Sequence, residues 1–428
     1  MTIARAAKET VRFVDEYAAL YEDLFPDVRS FEQFKYLLAG MLTDVKRKSL
    51  PAIAKAVGTD PQALHHFLTN APWSVTALRT RRLDLLHRAI GERSFTLCID
   101  ETGDKKKGHT TDYVAHQYIG NLGKLENGIV SVNAYGVLDQ MTFPLQFSVY
   151  QPRTRLKSDD DYQTKPALAI ALIQELQRQG WHFSVVLADS LYGESGDFIT
   201  ALEQLHLHYV VAVRSNHGVW LPKGARVRFT RWRPFERVFS SGTSQTRYLR
   251  EVIYGQRTRI RYYQITVDKD LTPSDGTWSI MTNLAGDIRQ TVGNTYGLRT
   301  WIEYGFKQAK SELGWADYRV TDAAAIERWW EIVLCAYLLV SLQSPVMHTA
   351  EPPASNPTTF SQRFTEHRWW DKGTGWKNLL NNLRLILQPL FMSCLLFPWS
   401  LVFDIPGLRT GFKQLLAYMN RFPASLPI

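Results

Sequence analysis

Two short apolar runs in this 428-residue chain lead directly into an aspartate: Phe95–Ile99 at Asp100, and Phe183–Leu187 at Ala188-Asp189. Each has the length and texture of a buried strand, not of a helix. Around them Gly128–Tyr135 and Thr142–Tyr150 are β-rich, Pro166–Gln179 and Phe198–Leu205 have helical spacing, and Tyr209–Val213 is strand-like again. Strands that pass into alternating helices and strands imply an α/β core. In such a core, a carboxylate just beyond a strand's carboxyl end lies where sites are usually built. Taken singly, either aspartate reads as a turn or capping residue.

Residues 1–92 read as helical, with apolar residues three and four apart through Val11, Val14, Tyr17, Leu20 and Tyr21. Within them, a helix over Leu50–Val57 would end at Gly58, with Thr59 or Asp60 capping the next helix and Pro61 in its first turn. That is the outline of a helix-turn-helix with Gln62, His65 and His66 on its second helix, although two capped helices around a glycine are common. Residues 93–218 carry the first part of the core. Residues 219–290 interrupt it with a β-rich segment in which Lys223–Arg261 holds eleven Lys/Arg against two acids. Residues 291–345 return to helical pattern, and 346–428 comprise a Pro/Ser/Thr linker (349–360) and a Trp- and Leu-rich helical tail.

The segment Asn294–Leu313 has the pattern of one helix. Tyr296, Arg299, Glu303 and Lys310 would fall within roughly a 60° arc of it, beside an apolar stripe of Ile302, Phe306 and Leu313. Taken alone, this is a solvated face with an Arg299–Glu303 pair worth a few tenths of a kcal/mol.

Composition narrows the class. With 45% hydrophobic and 21% charged residues, the chain can bury a large core and is not broadly disordered. Net charge is +9 and the pI about 9.3, which favours polyanionic partners. Three scattered cysteines exclude a disulfide scaffold or a cysteine zinc site and suggest a reducing, intracellular setting. The histidines form no metal box; His206-x-His208 has no third ligand near it in sequence. No apolar signal segment opens the chain. Leu385–Phe403 is uncharged, but Pro389 and Pro398 are expected to break a spanning helix, so buried packing and no membrane are expected.

Tyr-x2-Arg-x3-Glu-x6-Lys, here Tyr296, Arg299, Glu303 and Lys310, resembles the YREK signature of bacterial insertion-sequence transposases of the DDE type. CIDETGDKKKG around Asp100, HQYIGNLGKLENG after it and ADSLYG around Asp189 are similar to the branch with a DETG-type first motif. The resemblance spans roughly residues 35–340, including a β-rich insertion in the long gap between Asp189 and Glu303. It implies a ribonuclease-H-like catalytic core, with a helical N-terminal DNA-binding domain and a mainly helical C-terminal region around it.

By the same resemblance Asp100, Asp189 and Glu303 are the catalytic triad and hold two Mg2+ ions, for which Mn2+ can substitute. Tyr296, Arg299 and Lys310 would hold DNA phosphates, Arg299 bidentately. Lys105, Lys106 and Lys107 would contact backbone or form a solvated turn. Gln62, His66, Arg231, Arg233 and Trp232 are further candidate DNA contacts, and Trp220, Trp232 and Trp278 are the tryptophans that could stack on a flipped base or simply pack. The implied partners are double-stranded DNA, at the element's ends and the target, and a second protomer in a synaptic homodimer. The implied setting is the bacterial cytoplasm, at the nucleoid. A nuclease of the same fold without strand transfer, and a repurposed DNA-binding protein, are the alternatives. A paired-carboxylate glycosidase is more distant, because neither the basic insertion nor the Arg/Lys helix face would serve it.

Overall fold

The computed structural model describes residues 5–239, 242–270, 276–348 and 359–426. Most of the expected linker, and Ser241 of the expected Ser241-Gly242 turn, lie outside them. In chain order the elements begin with α1 (Arg12–Ala19), α2 (Val28–Met41), α3 (Leu50–Val57), α4 (Pro61–Thr69) and α5 (Val75–Ile90). Strands β1 (Phe95–Lys105), β2 (Ala115–Ile119), β3 (Lys124–Leu138) and β4 (Met141–Val149) follow. Next come α6 (Lys165–Arg178), β5 (Phe183–Ala188), α7 (Ser190–Gly193), α8 (Gly196–Gln204) and β6 (Tyr209–Val213). The segment rich in arginine forms β7 (Val227–Phe229), β8 (Arg233–Val238), β9 (Ser244–Tyr254), β10 (Arg261–Thr266) and β11 (Thr277–Thr282). The chain closes with α9 (Val292–Gly297), α10 (Thr300–Lys307), α11 (Ala323–Ser341), α12 (Thr359–Thr365), α13 (Trp376–Val402) and α14 (Leu408–Met419).

By packing, the chain divides into two units, one of residues 94–108 and 113–305, the other of 1–93, 109–112 and 306–428. The first is a mixed α/β unit built on one 11-stranded sheet, ordered β2-β3-β1-β5-β6-β11-β10-β9-β7, with β4 on β3 and β8 on β9. Strands β1, β5 and β6 are parallel neighbours and the remaining pairings are antiparallel. The parallel centre is covered on both faces, so Val185–Ala188 and Tyr209–Val211 are buried without alternation. The arginine-rich strands extend this same sheet, because β11 pairs with β6 on one side and β10 on the other. Helix α6 starts at Thr164, whose hydroxyl accepts from the Ala167 N–H at 3.2 Å, and buries Ala169, Leu172, Ile173 and Leu176.

The second unit is helical. Helix α11 runs through it with nearly every side chain after Arg328 buried. Trp330 stacks on Trp315 with centroids 4.5 Å apart, and the Tyr17 hydroxyl donates to the Cys335 carbonyl at 2.9 Å. The fully buried Arg82 and Glu331 pair side by side, with Arg79 also on Glu331. Helices α3 and α4 follow the expected signals: α3 ends at Gly58 in the left-handed region, and Asp60 accepts from the Gln62 and Ala63 N–H groups.

The tail departs from expectation. Pro389 and Pro398 lie inside α13 and do not end it. A proline removes one bond from the ladder and strains the preceding turn, and here the first half of the helix is anchored by buried Trp376, Leu380, Leu383, Leu387 and Phe391. Beyond Phe391 the expected burial fails, and the apolar side chains face outward. By length and composition alone, α13 could cross a membrane.

Candidate active site

Strands β1 and β5 run parallel with Ile99 opposite Ala188. The next residue on each chain is an aspartate, so Asp100 and Asp189 leave the register as neighbours, with backbones roughly 4.8 Å apart. Strand β1 does not stop at Asp100; antiparallel pairing with β3 carries it on to Lys105. Asp189 does leave its strand, and its Oδ1 caps α7 by accepting from the Leu191 N–H at 2.8 Å. The glycine of ADSLYG permits this turn. A Cβ on Gly193 would lie 1.9 Å from the Ala212 carbonyl oxygen, so only glycine lets α7 seat against β6.

The expected single helix over Asn294–Leu313 is three pieces. Helix α9 ends at Gly297, Leu298 and Arg299 form a turn, α10 follows, and Gln308–Glu312 is a π-helical turn. Tight i→i+3 bonds carry the chain through the break, from Leu298 N–H to Thr295 O and from Arg299 N–H to Tyr296 O. The break aims Arg299 at the sheet. Its Nη1 donates to Asp100 Oδ2 at 2.8 Å and its Nη2 to Glu303 Oε1 at 2.9 Å. The Arg299–Glu303 pair expected as a surface feature is therefore half of a bridge between two of the three candidate carboxylates. Gly305 lets α10 come this close, since a Cβ there would sit 2.5 Å from the Tyr135 ring of β3.

The Asp100 carboxyl is raised to about 7: burial is the largest cause, the Arg299 guanidinium opposes it, and Asp189 and Glu101 add like-charge repulsion. Burial opposes the charge on Arg299, but Asp100, Tyr296, Glu303 and Asp189 outweigh it and raise its pKa. The Tyr296 phenol is also raised by burial, with Arg299 opposing. Glu303 is the outermost of the group, with a side chain 57% exposed against 14% for Asp100.

Glu101 forms a second layer that the sequence did not reveal. The strand's alternation turns it away from Asp100, and it is tied down there, accepting from Lys165 Nζ and from the Tyr192 hydroxyl, both at 3.1 Å. Tyr192 is fully buried and belongs to the α7 turn that carries Asp189. A glutamate next to the aspartate of DETG was the available signal, but both partners are remote in sequence.

The other candidates scatter. Lys105 pairs with Glu126 on β3 at 2.7 Å, Lys107 is exposed and Lys106 half-buried. Trp232 is half-buried, its ring 4.4 Å from the Arg250 guanidinium, which also lies 4.4 Å from Phe229; Arg231 and Arg233 beside it are exposed. Trp220 is wholly exposed and Trp278 is 39% exposed. Gln62, His65 and His66 are exposed on α4, and Lys310 lies on the π-helical turn, both in the helical unit.

Among the described residues no three His, Cys, Asp or Glu side chains converge as a ready metal cage. The donors suit a hard divalent cation nonetheless. Asp100 and Asp189 are adjacent carboxylates whose charges repel, and Arg299 supplies positive charge between Asp100 and Glu303.

A large mixed sheet with paired aspartates just past the end of the parallel β1–β5 pairing is consistent with a ribonuclease-H-like DDE domain. The model of the DDE superfamily endonuclease family matches residues 21–237, a span that includes Asp100 and Asp189 and stops short of Glu303. At closer range, the chain is 54% identical over 329 residues to the probable transposase for insertion sequence element IS701 of Microchaete diplosiphon, with 76% of this chain and 87% of the relative covered. The chain belongs to the DDE transposases of insertion sequences, and is a metal-dependent enzyme of that class.

Proposed function

We propose that this transposase binds the terminal inverted repeats of its element, cleaves there and joins the freed ends to target DNA, in cut-and-paste transposition within a synaptic homodimer at the bacterial nucleoid. The observation that carries this reading is the placing of Asp100 and Asp189 on neighbouring parallel strands at the centre of the sheet, with Arg299 bridging Asp100 to Glu303. The DETG-type and YREK-type motifs supply Asp100, Arg299 and Glu303, and ADSLYG supplies Asp189.

Asp100, Asp189 and Glu303 would hold two Mg2+ ions, replaceable by Mn2+, which when bound stabilise charge on the attacking and leaving oxygens. Arg299 holds Asp100 and Glu303 in a common frame, and its planar fork suits a phosphate as well as a carboxylate. Tyr296 backs Arg299, and Lys310 adds a cation for the DNA backbone. Lys105, Lys106 and Lys107, the exposed Arg231 and Arg233 with Trp232, and Gln62 and His66 on α4 extend the DNA contact. In this reading residues 1–92 form the DNA-binding domain, 93–218 and 291–345 the ribonuclease-H-like core, 219–290 its insertion and 346–428 the accessory tail.

The test is strand transfer from pre-cleaved ends carrying a free 3′-hydroxyl. Wild type should join them to a plasmid with Mg2+ or Mn2+, and Asp189→Asn should not. Hydrolysis without joining would reduce the function to that of a nuclease.

A further inference from the structure

The π-helical turn Gln308–Glu312 carries Lys310, and it is gripped at both ends by helices of its own unit. At its start the Tyr337 hydroxyl of α11 donates to Gln308 Oε1. At its end the Glu312 carboxylate receives Lys377 and Arg384 of α13, with Arg384 Nη1 at 3.1 Å. Arg384 does more than pair. Its Nη2 donates to the Glu312 carbonyl at 3.3 Å and to the Thr43 carbonyl at 3.1 Å, and its Nε to the Leu42 carbonyl at 3.0 Å. One guanidinium, 16% exposed, therefore joins α13, the C-terminal end of α2 and the π turn. The two gripping helices are in turn locked together, because Trp376 of α13 packs on Tyr337 with ring centroids 4.6 Å apart.

We propose that Arg384 and Glu312 are positioning residues for Lys310, so that the tail helix α13 sets the lysine that meets the DNA backbone. This deepens the proposed function and rests on its assignment of Lys310 to a phosphate. Geometry is the first reason. A π turn is a rare interruption of the α-helical ladder and is found mostly at functional positions. It breaks the regular step of ~100° per residue that would otherwise derive the direction of Lys310 from the phase of α10, and here the Leu313 N–H reaches back to Gln308 O at 3.3 Å. Direction must then come from what holds the turn, and the two gripped residues, Gln308 and Glu312, bracket Lys310. Buried Ala309 and Leu313 seat the turn, but apolar packing is non-directional. The donations of Arg384 to one carboxylate and three carbonyls fix an orientation. Charge is the second reason. With Lys377 and Arg384 both on Glu312, its negative charge is compensated and does not oppose a phosphate approaching Lys310.

The test measures binding of the full chain to duplex DNA carrying the element's ends, without divalent metal, from about 50 to 200 mM salt. Each lost phosphate contact lowers the slope of log K against log salt by about 0.9. Lys310→Ala should show that decrease. Glu312→Gln, which keeps the size of the side chain and removes its charge, should show the same decrease with Lys310 intact and an unchanged circular dichroism spectrum. Arg384→Gln should follow it; should Arg384→Gln not fold, Glu312→Gln decides alone. The Lys310→Ala, Glu312→Gln double variant should lose no more than either single one. A grip that only holds helices together would lower the melting temperature and leave the slope at its wild-type value. That result for Glu312→Gln, with the decrease present in Lys310→Ala, would overturn the positioning role and leave the phosphate contact standing. Decreases that add in the double variant would overturn it too. A wild-type slope for Lys310→Ala would remove the phosphate contact itself, and the positioning role with it.

Discussion

Arg299 Nη1 lies 2.8 Å from Asp100 Oδ2 across 199 positions of chain, and the same guanidinium reaches Glu303 at 2.9 Å. One planar fork thus fixes the strand-borne carboxylate against the helix-borne one. An ammonium is a single point of charge and cannot hold both with this geometry. Arg299→Lys should therefore lower end cleavage about 100-fold or more with melting temperature nearly unchanged. Near-wild-type cleavage by Arg299→Lys would reduce the bridge to a passive ion pair.

The Glu101 layer yields a coupling. Glu101→Ala leaves the Tyr192 hydroxyl buried without this acceptor, and leaving such a group unsatisfied costs about 1–3 kcal/mol. Tyr192→Phe removes the donor and the need for it together. The double variant should then be little less stable than Glu101→Ala alone, as read by denaturant unfolding in a double-mutant cycle. Additive losses would show that the two side chains act independently.

At Gly193 the close approach is to backbone, which cannot give way as a side chain can. Gly193→Ala should destabilise the protein by about 1–3 kcal/mol or more and also displace Asp189. Gly305→Ala meets the Tyr135 ring, a side chain with some room to yield, and should cost less. Thermal unfolding of the pair checks the order.

Lys48 supplies a pH dependence. Burial lowers its pKa from 10.5 to about 8, with Arg384 adding to the effect. Between about 8 and 10.5 the unfolded chain binds more protons at this group than the folded one does, so its contribution to stability rises with pH across that window. Below it the penalty is fully present. Lys48→Met should accordingly be more stable than wild type at pH 7 by about 1–3 kcal/mol, and the difference should shrink above pH 8. A constant difference from pH 7 to 10 would contradict the assignment.

Much of the site was legible because it rests on local patterns. The apolar strand runs that lead into Asp100 and Asp189, the α3–α4 turn around Gly58 and Asp60, and the Arg299–Glu303 spacing are all short-range signals, although β1 runs on past Asp100 to Lys105 where the pattern had it end. What was not legible depends on remote partners or on strain. Gly297 is a weak breaking signal within Asn294–Leu313, but nothing there says that Arg299 must turn to reach Asp100, because that demand comes from β1. Alternation along β1 turns Glu101 away from Asp100, but nothing local in the sequence marks Lys165 and Tyr192 as its partners. The tail misled for a related reason. Proline positions describe the ladder of α13, not what its outer face meets.

The central claim is that Asp100, Asp189 and Glu303 act as one metal-dependent cleavage centre. The most direct test compares wild type with Glu303→Gln on linear DNA carrying the element's own ends, in Mg2+ and in Mn2+, with binding measured in parallel. We expect metal-dependent cutting at the ends by wild type, and its loss in the variant with binding retained. Equal cutting by both proteins would mean that the third carboxylate lies elsewhere in the chain.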